Sequence, residues 1–443
     1  MPAPSDRLLA DLIEWIRIPS ISSGGGDPAD LRHAAEWAAE RVVAAGGSCE
    51  LLEGYGNPLV VGELRAARAD ASTVLIYGHY DVQSADPRAA WTSDPFEPTV
   101  RDGRLFGRGA SDDKGNFLPL LHVACELAAA GTLPVNVRVL CEGDEEALGE
   151  GVLRFVAEDA RGADCAIVFD GDMLDERTPA LTLAVRGTIA CRVVLTTGAR
   201  SLHSGVFGNA ALNATHALVQ TLAAVLPGPD GLLPAPLRAG IRPPSPSELE
   251  AWRALPPGDG LLAAVGAAPS HPAAGSTFYE RTWADASLDV SGIDGGDARQ
   301  QRTIIPHEAS ARLNVRLAAG QDPQAIRETL EQLLRAAAPA GATLEFSGFS
   351  MPGASFDPEA PALRLAAEAL GRTCGVPCVL KRSGGSIPVL AAFAKRGIPV
   401  ICSGFALEDD RIHASDESYR IESLGLGELA AHELYASLAK LSG

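Results

Sequence analysis

The sequence predicts an α/β fold interrupted by an α+β insertion, and three observations carry that prediction. Short, β-branched and nearly continuous apolar runs end at Gly78, at Cys141 and at Phe169, as strands buried in a parallel sheet do. Helical periodicity alternates with these runs up to about Ala184 and resumes from Ala362. Between them lies a period-two strand, Ala309 to Leu317, with a helix and a further strand after it. At 443 residues the chain exceeds one ordinary core, so two domains are expected.

The elements follow in order. Residues 4–16 have helical periodicity with Ser5 or Asp6 as cap, and lack the basic start and continuous apolar stretch of a signal peptide. Leu31 to Ala45 and Asn116 to Ala130 read as amphipathic helices. After Arg186 and Gly187 come a strand, Thr188 to Leu195, and a helix from about Leu212 to Leu226. The stretch from Pro227 to Pro272, rich in Pro, Gly and Ala, reads as long excursions with short helices. Beyond the Ala309 strand, a helix at Pro323 to Ala338 and a strand at Ala342 to Ser347 complete the insertion. The α/β pattern then runs through Val400 to Ser403 to a terminal helix.

Composition narrows the class. Apolar content of 46% and charged content of 21% are those of a soluble globular protein. A net charge of −19 argues against nucleic acid or an anionic membrane as partner, and part of it is what cation ligands would contribute. No stretch of about eighteen uncharged apolar residues is available to span a membrane, so the cytoplasm is the expected compartment. The 8 cysteines sit mostly in apolar contexts and read as buried thiols. Cys374 and Cys378 are spaced for a disulfide or half a metal site, but no second pair stands at matching spacing, which argues against structural zinc.

The chemistry gathers at the ends of the apolar runs. His79 follows the first, the pair Glu145 and Glu146 the second, and Asp170 the third, while Asp112 precedes a helix and His413 lies far along the chain. Ligand sites of open α/β sheets lie beyond the carboxyl ends of the strands. Each residue alone reads as a surface histidine or a solvated acidic turn; together they form a catalytic zinc ligand set with a position left for water. A carboxylate shared by two cations makes a two-metal clamp. Asp81, two residues after His79, is placed to hold that histidine in one tautomer. Glu145 and Glu146, on an extended segment, point opposite ways, so one can bind metal while the other faces substrate as general base.

These residues sit in a recognisable set of motifs. Gly78 to Gln83, Trp91 to Pro98, Gly107 to Gly115, Glu142 to Glu146, Leu202 to Gly205 and Gly384 to Pro388 resemble the di-zinc metallopeptidase family. That family holds carnosinase-type dipeptidases, peptidase V, aminoacylase, acetylornithine deacetylase and glutamate carboxypeptidase. The similarity runs from about residue 8 to 440 and is greatest to the dipeptidase branch. It implies a zinc-peptidase-like catalytic domain with a mixed, largely parallel sheet (residues 1–185 and 353–443) and an inserted α+β lid and dimerisation domain (residues 186–352).

The resemblance also implies roles. His79 and Asp170 would bind one zinc and Glu146 and His413 the other, with Asp112 bridging; manganese or cobalt are alternative metals. Asp81 would orient His79, and Glu145 would be the base. The bond from Asp112 to Asp113 is cis in relatives. The lid would form a homodimer and carry His203 to the partner's active site, where it would help hold the carbonyl oxygen. Arg316 would grip the free carboxylate of a small peptide, assisted by backbone amides of Gly384, Gly385 and Ser386. The chain departs from the family at Ser383, where an acid is usual, and at Arg302, where lysine is common.

Rival readings are weaker. Gly107-Arg108-Gly109 lacks the third glycine of a dinucleotide loop, and Asp112 and Asp113 would repel a pyrophosphate. No Gly-x-Ser-x-Gly elbow exists for a serine hydrolase. A silent binding protein of this fold would have lost Glu145 or a ligand, and a deacylase of N-acyl amino acids is the rival within the enzymes.

Overall fold

The apolar runs ending at Gly78, Cys141 and Phe169 form the middle of one sheet. In this computed structural model, which describes residues 2–296, 299–300, 302–385 and 387–442, the sheet runs in the order Ser48–Leu52, Leu59–Leu64, Asn136–Glu142, Thr73–His79, Cys165–Phe169, Val400–Ser403 and Ala180–Val185. Its central strands are parallel, with His79 opposite Glu142, Tyr77 opposite Val168 and Phe169 opposite Ser403. Antiparallel pairings flank them on both sides. The carboxyl ends of the central strands therefore share one edge.

This sheet belongs to a unit made of Met1–Leu183, Phe356–Lys381 and Ala392–Gly443. Its central strands are buried on both faces: Val74 and Ile76 join the core shared with the long helices, while Tyr77 meets Phe393 edge-on at 6.2 Å. Ser5 caps the first helix, Asp6–Ile16, by accepting Leu8 N–H. The second helix, Pro28–Ala44, starts earlier than its apolar periodicity, because Asp27 caps it and Pro28 occupies its first turn. Helix Lys114–Ala129 seats directly on the end of strand Thr73–His79; a Cβ at Gly78 would lie 2.4 Å from the Phe117 ring. Glycine there lets a helix whose N-terminus follows Asp112 come close to His79.

The second unit comprises Ala184–Ser355 and Arg382–Ala391. Its antiparallel sheet has the order Ser287–Asp294, Glu308–Leu317, Gly187–Thr196 and Thr343–Met351. One face, including Val193, Leu313 and Val315, packs under helices Ala214–Ala223 and Pro323–Ala337. Strand Ser287–Asp294 is an addition to the sequence reading: its register shifts between Val290 and Gly292, which breaks the two-residue alternation. All eight cysteines are free thiols, those at 374 and 378 included. Among the described residues no helix is long and apolar enough to cross a membrane.

Candidate metal centre

Three of the site's segments leave strands at the carboxyl edge of the first unit's sheet, and two come from loops elsewhere in that unit. His79 is the last residue of its strand, Asp170 follows Cys165–Phe169, and Glu145 and Glu146 lie in the turn after Asn136–Glu142. Asp112 precedes helix Lys114–Ala129 across a cis peptide bond to Asp113, and His413 lies between Val400–Ser403 and Ser418–Arg420.

These side chains converge into two groups, His79 with Asp112 and Asp170, and Asp112 with Glu146 and His413, the donor atoms of each within 4.8 Å of one another. Asp112 belongs to both. Its Oδ1 lies 3.1 Å from His79 Nε2 and its Oδ2 2.9 Å from His413 Nε2, which is itself 3.2 Å from Glu146 Oε1. A carboxylate that presents one oxygen to each group has the geometry of a bridge.

Supporting contacts orient the donors. His79 Nδ1 lies 3.0 Å from the Asp81 carbonyl oxygen and 3.4 Å from Asp81 Oδ1, so the backbone of Asp81 is the nearer partner and its carboxylate the second. Asp81 Oδ2 accepts Ser22 Oγ–H at 2.6 Å and Glu146 N–H at 3.1 Å, linking the histidine strand to the glutamate turn. Glu145 and Glu146 stand in a turn, not on an extended segment: Leu148 N–H donates to Glu145 O, and Asp144, gripped by Asn57, accepts Gly149 N–H on its carbonyl. Turn geometry thus replaces strand alternation as the reason the pair diverges, and Glu146 alone of the two joins a donor group.

The charges fit divalent cations. Burial depresses His79, but Asp112 and Asp81 outweigh it and hold the imidazole well above its ordinary value. Contacts with Asp112 and Glu146 push His413 up to about 10. Asp112 is held below the usual carboxylate range, its burial outweighed by the two histidines, whereas burial and the charge of Asp112 drive Asp170 well above that range. Burial pushes Glu145 up to about 7, Asp112 and Glu146 acting the same way against His79. Carboxylates outnumber imidazoles in a pocket that protons alone balance poorly, and cations in these oxygen and nitrogen donors would relieve the repulsion. Glu142, by contrast, accepts Tyr77 Oη–H at 2.5 Å and joins neither donor group.

The sequence reading overlooked two residues beneath the donors. Glu417 and Arg108, both buried, form an ion pair at 2.8 Å under the Asp112 loop. The available signal was Arg108 itself, a cation between two glycines in the segment leading to Asp112. A cavity of about 650 Å³ adjoins Asp112 and Asp170, lined also by Met173, Leu407, Arg411 and Ile412.

The remaining predicted residues belong to the second unit. His203 is exposed on the short strand Leu202–His203, opposite Ile304, and its Nδ1 accepts Gly205 N–H at 3.0 Å. That bond places the proton of the neutral ring on Nε2. Arg316 lies half-buried on the sheet face away from the helices, and its carbonyl accepts Arg186 Nη2–H. The backbone of Arg186 also donates to Gly385 O at 3.1 Å. Gly385 N–H is bonded to Ser383 Oγ at 3.1 Å, so it is engaged within the loop. Ser386 lies outside the described residues. Next to Ser383, Arg382 forms a two-pronged pair with Glu248 at 2.8 and 3.1 Å.

Comparison with known proteins places this geometry in context. A profile described as peptidase family M20/M25/M40 matches residues 75–436. The chain is 30% identical over 368 residues to the cysteinylglycine-S-conjugate dipeptidase of Corynebacterium striatum, covering 79% of this chain and 77% of that one. It is 26% identical over 448 residues to the Cys-Gly metallodipeptidase of Schizosaccharomyces pombe, covering 94% and 92%. An M20 family metallo-carboxypeptidase from Sulfolobus solfataricus has a similar fold, with a TM-score of 0.84 at 25% identity over 98% of this chain and 100% of that one.

Proposed function

The chain belongs to peptidase family M20/M25/M40, and on that premise we propose that it is a dipeptidase acting on small peptides with a free C-terminal carboxylate. Metal-dependent hydrolysis of a peptide amide bond is its reaction class. The observation that carries the reading is the division of Asp112 between His79 and His413, with an acid–base candidate, Glu145, beside Glu146. The relatives act on cysteinylglycine conjugates and Cys-Gly, which supports a dipeptide substrate.

His79 and Asp170 would hold one ion, Glu146 and His413 the other, and Asp112 both. Zinc suits this mixed imidazole and carboxylate set. Divalent ions held there would supply Lewis acidity toward the attacking water and the amide carbonyl. Glu145 takes the proton from the attacking water and delivers it to the leaving amine, serving as base and then acid. His203, with its proton on Nε2, is a ready donor to the carbonyl oxygen as negative charge develops there. Arg316 and the Gly384 loop hold the terminal carboxylate and so register the scissile bond. The proposed assembly is a homodimer through the second unit, each His203 serving the other subunit's centre. Eight free thiols support a cytoplasmic location.

A panel of dipeptides and N-acyl amino acids, assayed with zinc, manganese or cobalt, tests the proposal. Cleavage of dipeptides that chelation abolishes, with about two ions per chain, is the expected result. Preference for N-acyl amino acids would make the protein a deacylase, and metal-independent activity would overturn the assignment.

A further inference from the structure

Glu417 is fully buried, and both of its carboxylate oxygens are engaged by one short loop. Oε1 accepts the amide N–H groups of Ser111 and Asp112 at 2.9 and 3.1 Å. Oε2 accepts that of Gly109 at 3.0 Å and Arg108 Nη1–H at 2.8 Å. Arg108, 3% exposed, directs Nη2 to the carbonyls of Ser84 and Ala414, 3.2 Å each. Ala414 follows His413, and Ser84 lies just beyond the His79 strand. The pair thereby joins the loop of Asp112, the loop of His413 and the segment leaving His79.

Two further facts favour positioning over bulk stability. A buried ion pair is seldom more stabilising than apolar residues of the same volume, so its presence under these donors calls for another reason. The His413 loop also holds Arg411, His413 and Asp416 at φ of 59°, 61° and 59°, conformations that side-chain-bearing residues disfavour and surroundings must impose.

We propose that Glu417 and Arg108 are positioning residues for the metal centre: Glu417, gripping the backbone amide of Asp112, sets where the shared carboxylate stands relative to His413. This rests on the reading that Asp112 and His413 hold metal.

The test uses full-length protein produced with cobalt in the growth medium. Cobalt retained against graded chelator, the visible absorption band and the unfolding temperature are measured for the parent, Glu417→Gln, Asp410→Asn and Asp112→Asn. Gln at 417 would turn an NH2 toward amide donors that need an acceptor. Glu417→Gln should release cobalt at about tenfold lower chelator and shift the band. Asp410 is the control: also buried, it reaches the same loop through Ser111 Oγ and not through the Asp112 amide. Asp410→Asn should lower the unfolding temperature while leaving retention and band unchanged. Should Glu417→Gln not fold, Arg108→Lys, which gives up the Ser84 and Ala414 carbonyls, should change retention and band in the same direction. Parental retention and band in the Glu417 variant, or in Arg108→Lys where that stands in, would overturn the proposal, as would an equal loss in Asp410→Asn. If Asp112→Asn loses cobalt while Glu417→Gln keeps it, the positioning role alone fails; if Asp112→Asn keeps it, the metal assignment fails and the positioning role with it.

Discussion

Gln83 Nε2 donates to Glu146 Oε2 at 2.8 Å, leaving Oε1 as the oxygen 3.2 Å from His413. Ser23 Oγ–H in turn donates to Gln83 Oε1 at 2.9 Å, so the amide is held from both ends. Gln83→Ala would free Glu146 to rotate. Retention of the ion on the His413 side should fall about tenfold or more, read by elemental analysis after dialysis against chelator. Unchanged retention would remove Gln83 from the support of the centre.

Glu145→Gln should keep about two ions per chain while kcat falls by roughly 10²–10⁴, because the residue carries a proton and contributes no donor atom. Metal analysis and steady-state kinetics on one preparation decide it. Near-normal turnover would exclude Glu145 as the proton carrier.

If His203 acts on the other subunit's centre, His203→Ala and Asp112→Asn chains should each be inactive alone. Heterodimers formed by subunit exchange should regain part of the activity, since one centre then combines an intact metal set with an intact His203. Absence of recovery, with exchange demonstrated by differential tags, would place His203 in its own chain's site or outside catalysis.

Arg316→Ala should lose discrimination between a dipeptide and its C-terminal amide, whereas the parent should prefer the free acid by a factor of about ten or more, as a charge-assisted pair would give. kcat/KM on the matched pair is the measurement. A parent that cleaves both equally well would be a broader amidase.

Gly78→Ala would put a Cβ 2.4 Å from Phe117 and force helix Lys114–Ala129 off the strand. The expected cost is about 1–3 kcal/mol, seen as a lower unfolding temperature and, because Asp112 adjoins that helix, as weaker metal retention. An unchanged unfolding temperature would show that the helix shifts freely.

The gathering of His79, Glu146 and Asp170 was legible because strand-end position is encoded locally: an apolar run stops, and the next polar residues must lie at the sheet's edge. Asp112 and His413 follow no such run, and only the family resemblance brought them to the same site. Strand Ser287–Asp294 was not, since the irregularity at Val290 and Gly292 breaks the alternation that marks a strand. The turn at Glu145 and Glu146 depends on Asp144 being held by Asn57, a contact across 87 residues that no local pattern carries. Glu417 was invisible for a similar reason. One glutamate in a charged loop reads as solvated, and only its partners at Gly109, Ser111 and Asp112 give it a task.

Strand Val400–Ser403 lies beside Cys165–Phe169, though the whole second unit is encoded between them. A ribosome therefore releases the earlier strand, buried along its entire length in the finished protein, well before its neighbour exists. Through that interval the nascent chain carries an apolar sheet edge with unpaired backbone, the surface on which chains associate wrongly. Fragments that stop short of Val400 would keep that edge permanently, so precipitation is the expected fate of premature termination in the final part of the message.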